Sequence, residues 1–245
     1  MDVIKKYGLS FTRTLVSEYP DEYYSVAVDF IENLFFNISK LSMKYDNKYF
    51  CELPYTYRYS ERRLDSVILP VLSKLCNSMV LVEYPIERNS PTLKTEFGRL
   101  DYMCIYKGYS FVIELKHNFD SFYSDITREE LISNWTVMNR QLMSIHKSIK
   151  KFEERTKSVI RIGIHIITSC SDKEPNNSIV SDYRQRIRDI QDRFLKDLKC
   201  CQSLKPDLIL SWKIPMKLIE AYEITIPGLW SISKIYPPII HKGSI

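Results

Sequence analysis

Asp101, Glu114 and Lys116 lie in one run of the chain, "GRLDYMCIYKGYSFVIELKH" (residues 98–117), which reads as two alternating strands on either side of Lys107-Gly108. A two-residue turn at Lys107-Gly108 pairs Tyr106 with Tyr109, Asp101 with Glu114 and Arg99 with Lys116; a four-residue loop gives the same register. Side chains alternate along a strand. Arg99, Asp101, Met103 and Ile105 are therefore expected on one face with Ser110, Val112, Glu114 and Lys116, while Phe111, Ile113 and Leu115 take the other. Two acids and two bases meet at one end of one face. Directly opposed like charges destabilise a sheet by an amount comparable to the roughly 0.2–1 kcal/mol of a favourable pair, and by more when partly buried. Two arrangements offset this: salt bridges from Arg99 and Lys116, or a divalent cation, whose preferred ligands are carboxylate oxygens. The second suits phosphodiester hydrolysis. Asp101 and Glu114 would hold Mg²⁺ (or Mn²⁺), the ion would polarise the scissile phosphate and activate a bound water, and Lys116 would orient that water or offset charge in the transition state.

The elements that must position this hairpin can be read on both sides of it. Residues 20–45 open with Pro20 and carry Tyr24, Ala27, Ile31, Leu34, Ile38 and Leu41 at three-to-four spacing, which predicts an amphipathic helix. A polar, aromatic connector leads to "SERRLDSVILPVLSKLC" (60–76), a second helix with Ser60 as cap, Glu61 in the first turn and Pro70 expected to kink or split it. A strand is expected over about 79–87. After the hairpin, Thr127 and Glu130 form a capping box for a helix whose apolar residues run from Leu131 through Trp135, Met138, Leu142, Ile145 and Ile149 to Phe152. "SVIRIGIHIITSC" (158–170) reads as a β-branched strand, "SIVSDYRQRIRDIQDRFLKDLK" (178–199) as another amphipathic helix, and 207–214 and 217–226 as strand candidates. Helices mixed with a hairpin imply an α/β fold around a mixed sheet rather than a doubly wound parallel one.

At 245 residues, 44% hydrophobic and 27% charged, the chain has the composition of a folded globular protein and not of a disordered or collagen-like one. No apolar run approaches the roughly 20 residues of a membrane span, and the N-terminus lacks a signal-peptide core, so no membrane partner and a cytoplasmic location are expected. Six cysteines without a C-x-x-C pair favour reduced thiols over zinc or disulfide frameworks. Only six glycines occur, with no phosphate-binding loop, G-x-S-x-G or H-E-x-x-H, which disfavours NTP hydrolysis, serine hydrolysis and zinc chemistry. The net charge of +5 is concentrated in residues 140–199, with 14 Lys/Arg against 8 Asp/Glu. Such a basic half is compatible with a polyanion such as nucleic acid, and equally with a solvated helix face.

Asp101 followed by Glu114-Leu115-Lys116 resembles the D…(D/E)-x-K signature of the PD-(D/E)XK phosphodiesterase superfamily, with Leu100 where the name-giving proline would stand. The stretches "SERRLDSVILPVLSK", "EYPIER", "GRLD" and "IELKH" are similar to those of bacterial members. The resemblance covers about half the chain. It implies a restriction-endonuclease-like core of order αβββαβ within 60–245, behind an N-terminal helical segment over 1–59 and followed by C-terminal strands. It also implies Glu61 as a third acidic ligand beside Asp101 and Glu114, Lys116 as the catalytic lysine, and Gln141 as a polar residue facing the site or solvent. The activity implied is a metal-dependent endonuclease acting on DNA, in a setting such as bacterial defence. An RNase, or a non-catalytic nucleic-acid-binding or interaction module on the same fold, is the alternative, and a homo-oligomer stays open.

Arg58 and Arg62, interleaved with Tyr55, Tyr57 and Tyr59, suit phosphate and base contacts, as Arg99 does beside the site, although tyrosines also rim cores. His117 points away from Lys116 and reads as structural, Glu83 and Glu87 as surface strand residues, and His165 as a core or rim histidine.

Overall fold

The computed structural model describes residues 2–6, 9–17, 19–48, 61–77, 80–90, 92, 95–149, 156–171, 177–198, 204–213 and 225–238. Its elements are β1 (Asp2–Lys6), β2 (Leu9–Leu15), α1 (Glu22–Lys48), α2 (Glu61–Cys76), β3 (Leu81–Arg88), β4 (Glu96–Tyr106), β5 (Tyr109–Ser121), α3 (Glu129–Ser144), β6 (Val159–Ser171), α4 (Asn177–Asp197), β7 (Leu208–Lys213) and β8 (Thr225–Tyr236). The strands form one eight-stranded sheet of order β1-β2-β7-β8-β6-β5-β4-β3. Only β5 and β6, joined through α3, pair in parallel, so the sheet is mixed and the class is α/β.

Alternation along the strands sends side chains to two helical layers. Phe111, Ile113 and Leu115 of β5 and Ile160, Ile162, Ile164 and Ile166 of β6 pack with α1 (Ala27, Phe30, Ile31, Leu34) and α2 (Leu64, Val67, Ile68, Leu72). Val112, Val159 and Ile167 take the opposite side, against Trp135, Met138 and Leu142 of α3 and Ile187, Ile190 and Phe194 of α4. Gly163 is what lets α3 lie close there: a Cβ on it would stand 2.8 Å from Met138 Cε and 3.0 Å from Leu142 Cδ1.

Several expectations are corrected. Residues 2–15, read within a helical segment, form a hairpin that extends the sheet through β2 and β7. Pro70 lies inside an α2 that continues to Cys76 without splitting. The Thr127–Glu130 capping box does not form: Arg128 holds the N-cap position without a side-chain cap, and Thr127 Oγ1 instead accepts from Arg193 Nε at 3.1 Å. The apolar period that runs on to Phe152 does not carry α3 past Ser144, because edge strand β3 captures the chain. Asn89 N donates to Ser144 O, His146 N to Glu87 O, and Ile145 bridges Arg88. Phe152 lies outside the described residues, as does 217–224 of the last strand candidate; the strand there is Thr225–Tyr236.

The basic excess of α4 is partly spent on the loop before α3. Arg186 donates from Nε to Phe122 O at 2.5 Å and from Nη2 to Ser124 O at 2.5 Å, and pairs with Asp125. Arg193 binds Thr127, Ser124 O and Asp120. These two guanidiniums hold a loop rather than offering a patch to a polyanion.

Candidate functional site

Lys107 and Gly108 take φ of 49° and 81°, positive at both central positions of the turn, as a type I′ hairpin turn requires. From there the β4–β5 ladder runs through Tyr106↔Tyr109, Ile105↔Ser110, Cys104↔Phe111 and Met103↔Val112 to Tyr102↔Ile113, the expected register. The ladder stops at that pair. Beyond it β5 continues beside β6 alone, with Glu114↔Gly163 and Lys116↔His165, while β4 continues beside β3, with Leu100↔Tyr84 and Arg99↔Pro85. The β3–β4 register also skips one position, Glu83 opposite Asp101, and Glu83 has a φ of 51°. A left-handed residue without glycine inside a strand costs about 1–3 kcal/mol and occurs where the surroundings impose it. Asp101 is thus the point at which β4 releases both neighbours and the sheet forks.

The Asp101 side chain fills part of the gap: its Oδ2 accepts from Leu115 N at 2.6 Å, so a carboxylate replaces the carbonyl that a continued ladder would supply. Across the fork, Glu114 is 1% exposed, and its Oε1 receives Arg88 Nη2 at 2.5 Å. The two carboxyl groups lie within electrostatic reach of each other. Burial pushes the Glu114 carboxyl up to about 7, aided by the charge of Asp101 and opposed by Arg88 and Lys116. Burial also raises Asp101, while the Leu115 N–H and the Lys116 ammonium pull it down. Lys116, half-buried on β5, therefore acts electrostatically on both acids.

Sequence reasoning missed Arg88, which ties four elements together. From β3 its Nη2 also donates to Arg99 O of β4 at 2.7 Å, and its Nη1 to Gln141 O of α3. Gly98 makes room for it, since a Cβ there would lie 2.4 Å from Arg88 Nε. The available signal was a single arginine ending the strand "EYPIER", paired with Glu96 where β4 begins and two positions from Gly98. Asp65, one helical turn beyond Glu61 on α2, was missed as well; it accepts the Tyr102 hydroxyl. Asp65, Glu83, Arg99, Asp101, Tyr102 and Leu115 border a cleft of about 480 Å³.

The expected residues are therefore brought together unevenly. Asp101, Glu114 and Lys116 converge. Gln141 reaches Glu114 through its backbone carbonyl and Arg88, and its side-chain Oε1 is buried without a hydrogen-bond partner among the described residues. Arg99 does not oppose Lys116, because the strands have parted; it is exposed, 3.6 Å from Glu83. Nor do all four charges share one face: Arg99 and Asp101 border the cleft, whereas Glu114 is buried toward Arg88 and α3. Arg58 lies outside the described residues, as do the side chains of Glu61 and Arg62.

Behind Lys116, His165 is fully buried, with Nε2 2.7 Å from Asn118 Oδ1, which also accepts from Asn134 Nδ2 at 2.8 Å. Burial lowers the imidazole to about 3, so it is neutral, a core histidine. His117 turns to the other face, 3.0 Å from Thr168 Oγ1. Among the described residues no group of three or more His, Cys, Asp or Glu side chains is arranged to hold a metal ion, and no helix is long and apolar enough to cross a membrane. Compared with protein-family models, curated proteins and solved structures, the chain gives no match.

Proposed function

We propose that the chain is a metal-dependent phosphodiesterase of the PD-(D/E)XK kind, a cytoplasmic endonuclease acting on DNA. The observation that carries this reading is the fork itself, where Asp101 accepts from Leu115 N, Glu114 is held by Arg88, and the two acids and Lys116 lie within electrostatic reach of one another. The run α2-β3-β4-β5-α3-β6 also follows the helix, three strands, helix and strand of that superfamily's core.

The donor set fits Mg²⁺ or Mn²⁺. Both ions take carboxylate oxygens, and two neighbouring acids raised in pKa are relieved by a cation that displaces their proton. Asp101 and Glu114 would hold the ion, with Glu61 as the third acid; bound there, it supplies Lewis-acid activation of a phosphate and of water. The protein's part is orientation. Leu115 N–H fixes Asp101, Arg88 fixes Glu114, and Lys116 presents an ammonium to the nucleophile or to the developing charge on phosphate.

Asp101→Ala and Lys116→Ala are expected to abolish Mg²⁺- or Mn²⁺-dependent DNA cleavage while circular dichroism stays that of the wild type. Equal cleavage by all three proteins contradicts the reading. The Arg88–Glu114 ion pair favours a second reading, a nucleic-acid-binding module whose acid is permanently neutralised. Calorimetric titration with Mn²⁺ separates them: heat of binding lost in Asp101→Ala supports the enzyme, and no heat in the wild type supports the module.

A further inference from the structure

We propose that the site takes unpaired nucleic acid, one base stacked on Phe97 and the adjoining backbone held by Arg99, along the exposed row of β4 that ends at Asp101. This rests on the phosphodiesterase reading above and names its substrate class.

Phe97 is 88% exposed and the Arg99 side chain 73%, beside an acid that is mostly buried. Strand alternation puts Phe97 and Arg99 on one side of β4. The intervening positions face the other way: the place of a Gly98 Cβ is filled by Arg88, and Leu100 is fully buried against the α3 layer. Alternate residues stand about 7 Å apart along a strand, so the ring, the guanidinium and the carboxylate follow one another in steps of that length. Phe97 borders a cavity of about 290 Å³ with Pro85, Glu87 and Ile149, and Arg99 and Asp101 border the 480 Å³ cleft next to it. Aromatic ring, cation and acid therefore follow one another along one face of β4, the ring at one cavity and the cation and acid at the other.

A phenyl ring offers a base only its face, and stacking of that kind accepts any base. In a duplex those faces are covered by neighbouring pairs, so Phe97 selects a base that is already unpaired. Arg99 is held by Glu83 at 3.6 Å, with both side chains exposed, and a surface pair of that length exchanges readily for a phosphate. Glu87, the cross-strand neighbour of Phe97, is engaged by His146 Nδ1 at 3.1 Å.

The test uses the whole chain carrying Asp101→Asn, in EDTA so that cleavage does not enter, with a fluorescein-labelled oligothymidylate and its duplex with oligoadenylate. Tighter binding of the single strand is expected. Phe97→Ala should weaken it about tenfold or more, with unchanged circular dichroism. Arg99→Ala should reduce the log–log salt slope by about 0.7. Phe97→Trp should restore binding, and its indole emission should be quenched by oligothymidylate. That signal is readable because Trp135, Trp212 and Trp230 are all fully buried. Equal quenching by oligouridylate also supports the proposal, since the stacked face does not report the sugar. Equal affinity for single strand and duplex with no effect of Phe97→Ala, or an unquenched indole in Phe97→Trp, overturns it. Cleavage by the wild type in Mn²⁺ is scored separately: quenching without cleavage leaves this inference standing and removes the enzyme, and cleavage without quenching does the reverse.

Discussion

The two ends of the β4–β5 hairpin obey different rules. At the turn, positive φ at Lys107 and Gly108 closes a ladder whose pairs, Tyr106↔Tyr109 and Cys104↔Phe111, bury their side chains in the core shared with α1, and Lys107 is tied to Asp29 at 2.8 Å. There the one strained residue, Lys107, is what the turn type requires, and the paired side chains serve stability. At the other end the ladder stops, a carboxylate does the work of a carbonyl, an acid is 1% exposed beside another acid, and Glu83 sits at positive φ. The buried acid beside another acid and the left-handed Glu83 cost free energy. Strain and like charge gathered at one end of a hairpin mark that end as the candidate site.

Breaking the fork should have the largest effect. Arg88→Met strands the Glu114 carboxyl in the interior and should lower stability by about 3–5 kcal/mol in urea unfolding, whereas the double variant Arg88→Met/Glu114→Gln should recover much of that loss. Full additivity of the two changes would show that the pair is not coupled.

The pH dependence is the next largest effect. Glu114 is raised from 4.5 to about 7, so the folded state holds its proton more tightly than the unfolded chain. The associated stability is present below about pH 4.5 and is lost as pH rises through 7, an effect of at most about 3 kcal/mol. Thermal midpoints should therefore fall between pH 5 and about 7.5 in the wild type. Glu114→Gln should flatten this slope, and a slope of equal size in that variant would assign it elsewhere.

At the turn end, Gly108→Ala places a Cβ at a φ of 81° and should cost about 1 kcal/mol in urea unfolding, with no change in Mn²⁺ binding. The smallest expected effect sharpens the contrast. Asp101→Asn relieves the repulsion between the two acids and should raise stability by a few tenths to about 1 kcal/mol while removing activity, the trade expected where function opposes stability. A clear loss of stability would mean that the Asp101 charge serves the fold.

How much of this could be read in the sequence follows the same division. The turn and the register from Tyr106 to Tyr102 were legible because they depend on local spacing, whereas the expected pairing of Asp101 with Glu114 lies just past the end of the ladder. The fork was not: it coincides with the left-handed conformation of Glu83 on a different strand, which local spacing does not report, and it separates Arg99 from Lys116. Arg88 was not legible because its partners come from β4, β5 and α3, brought together by tertiary packing. The end of α3 at Ser144 is set by pairing with edge strand β3, which outweighs a helical period that runs on, and the loop before α3 is fixed by Arg186 and Arg193 from α4. The pairing of β1 with β2 escaped notice because Phe11, fully buried, meets Trp212 and α1 only in the assembled sheet.

The most direct test of the central claim is cleavage of labelled DNA in Mn²⁺ by the wild type, Gly108→Ala and Asp101→Asn at one temperature where all three are folded. A phosphodiesterase site at the fork predicts cleavage by Gly108→Ala at the wild-type rate and none by Asp101→Asn. Cleavage by Asp101→Asn at the wild-type rate, or no cleavage by any of the three, contradicts it.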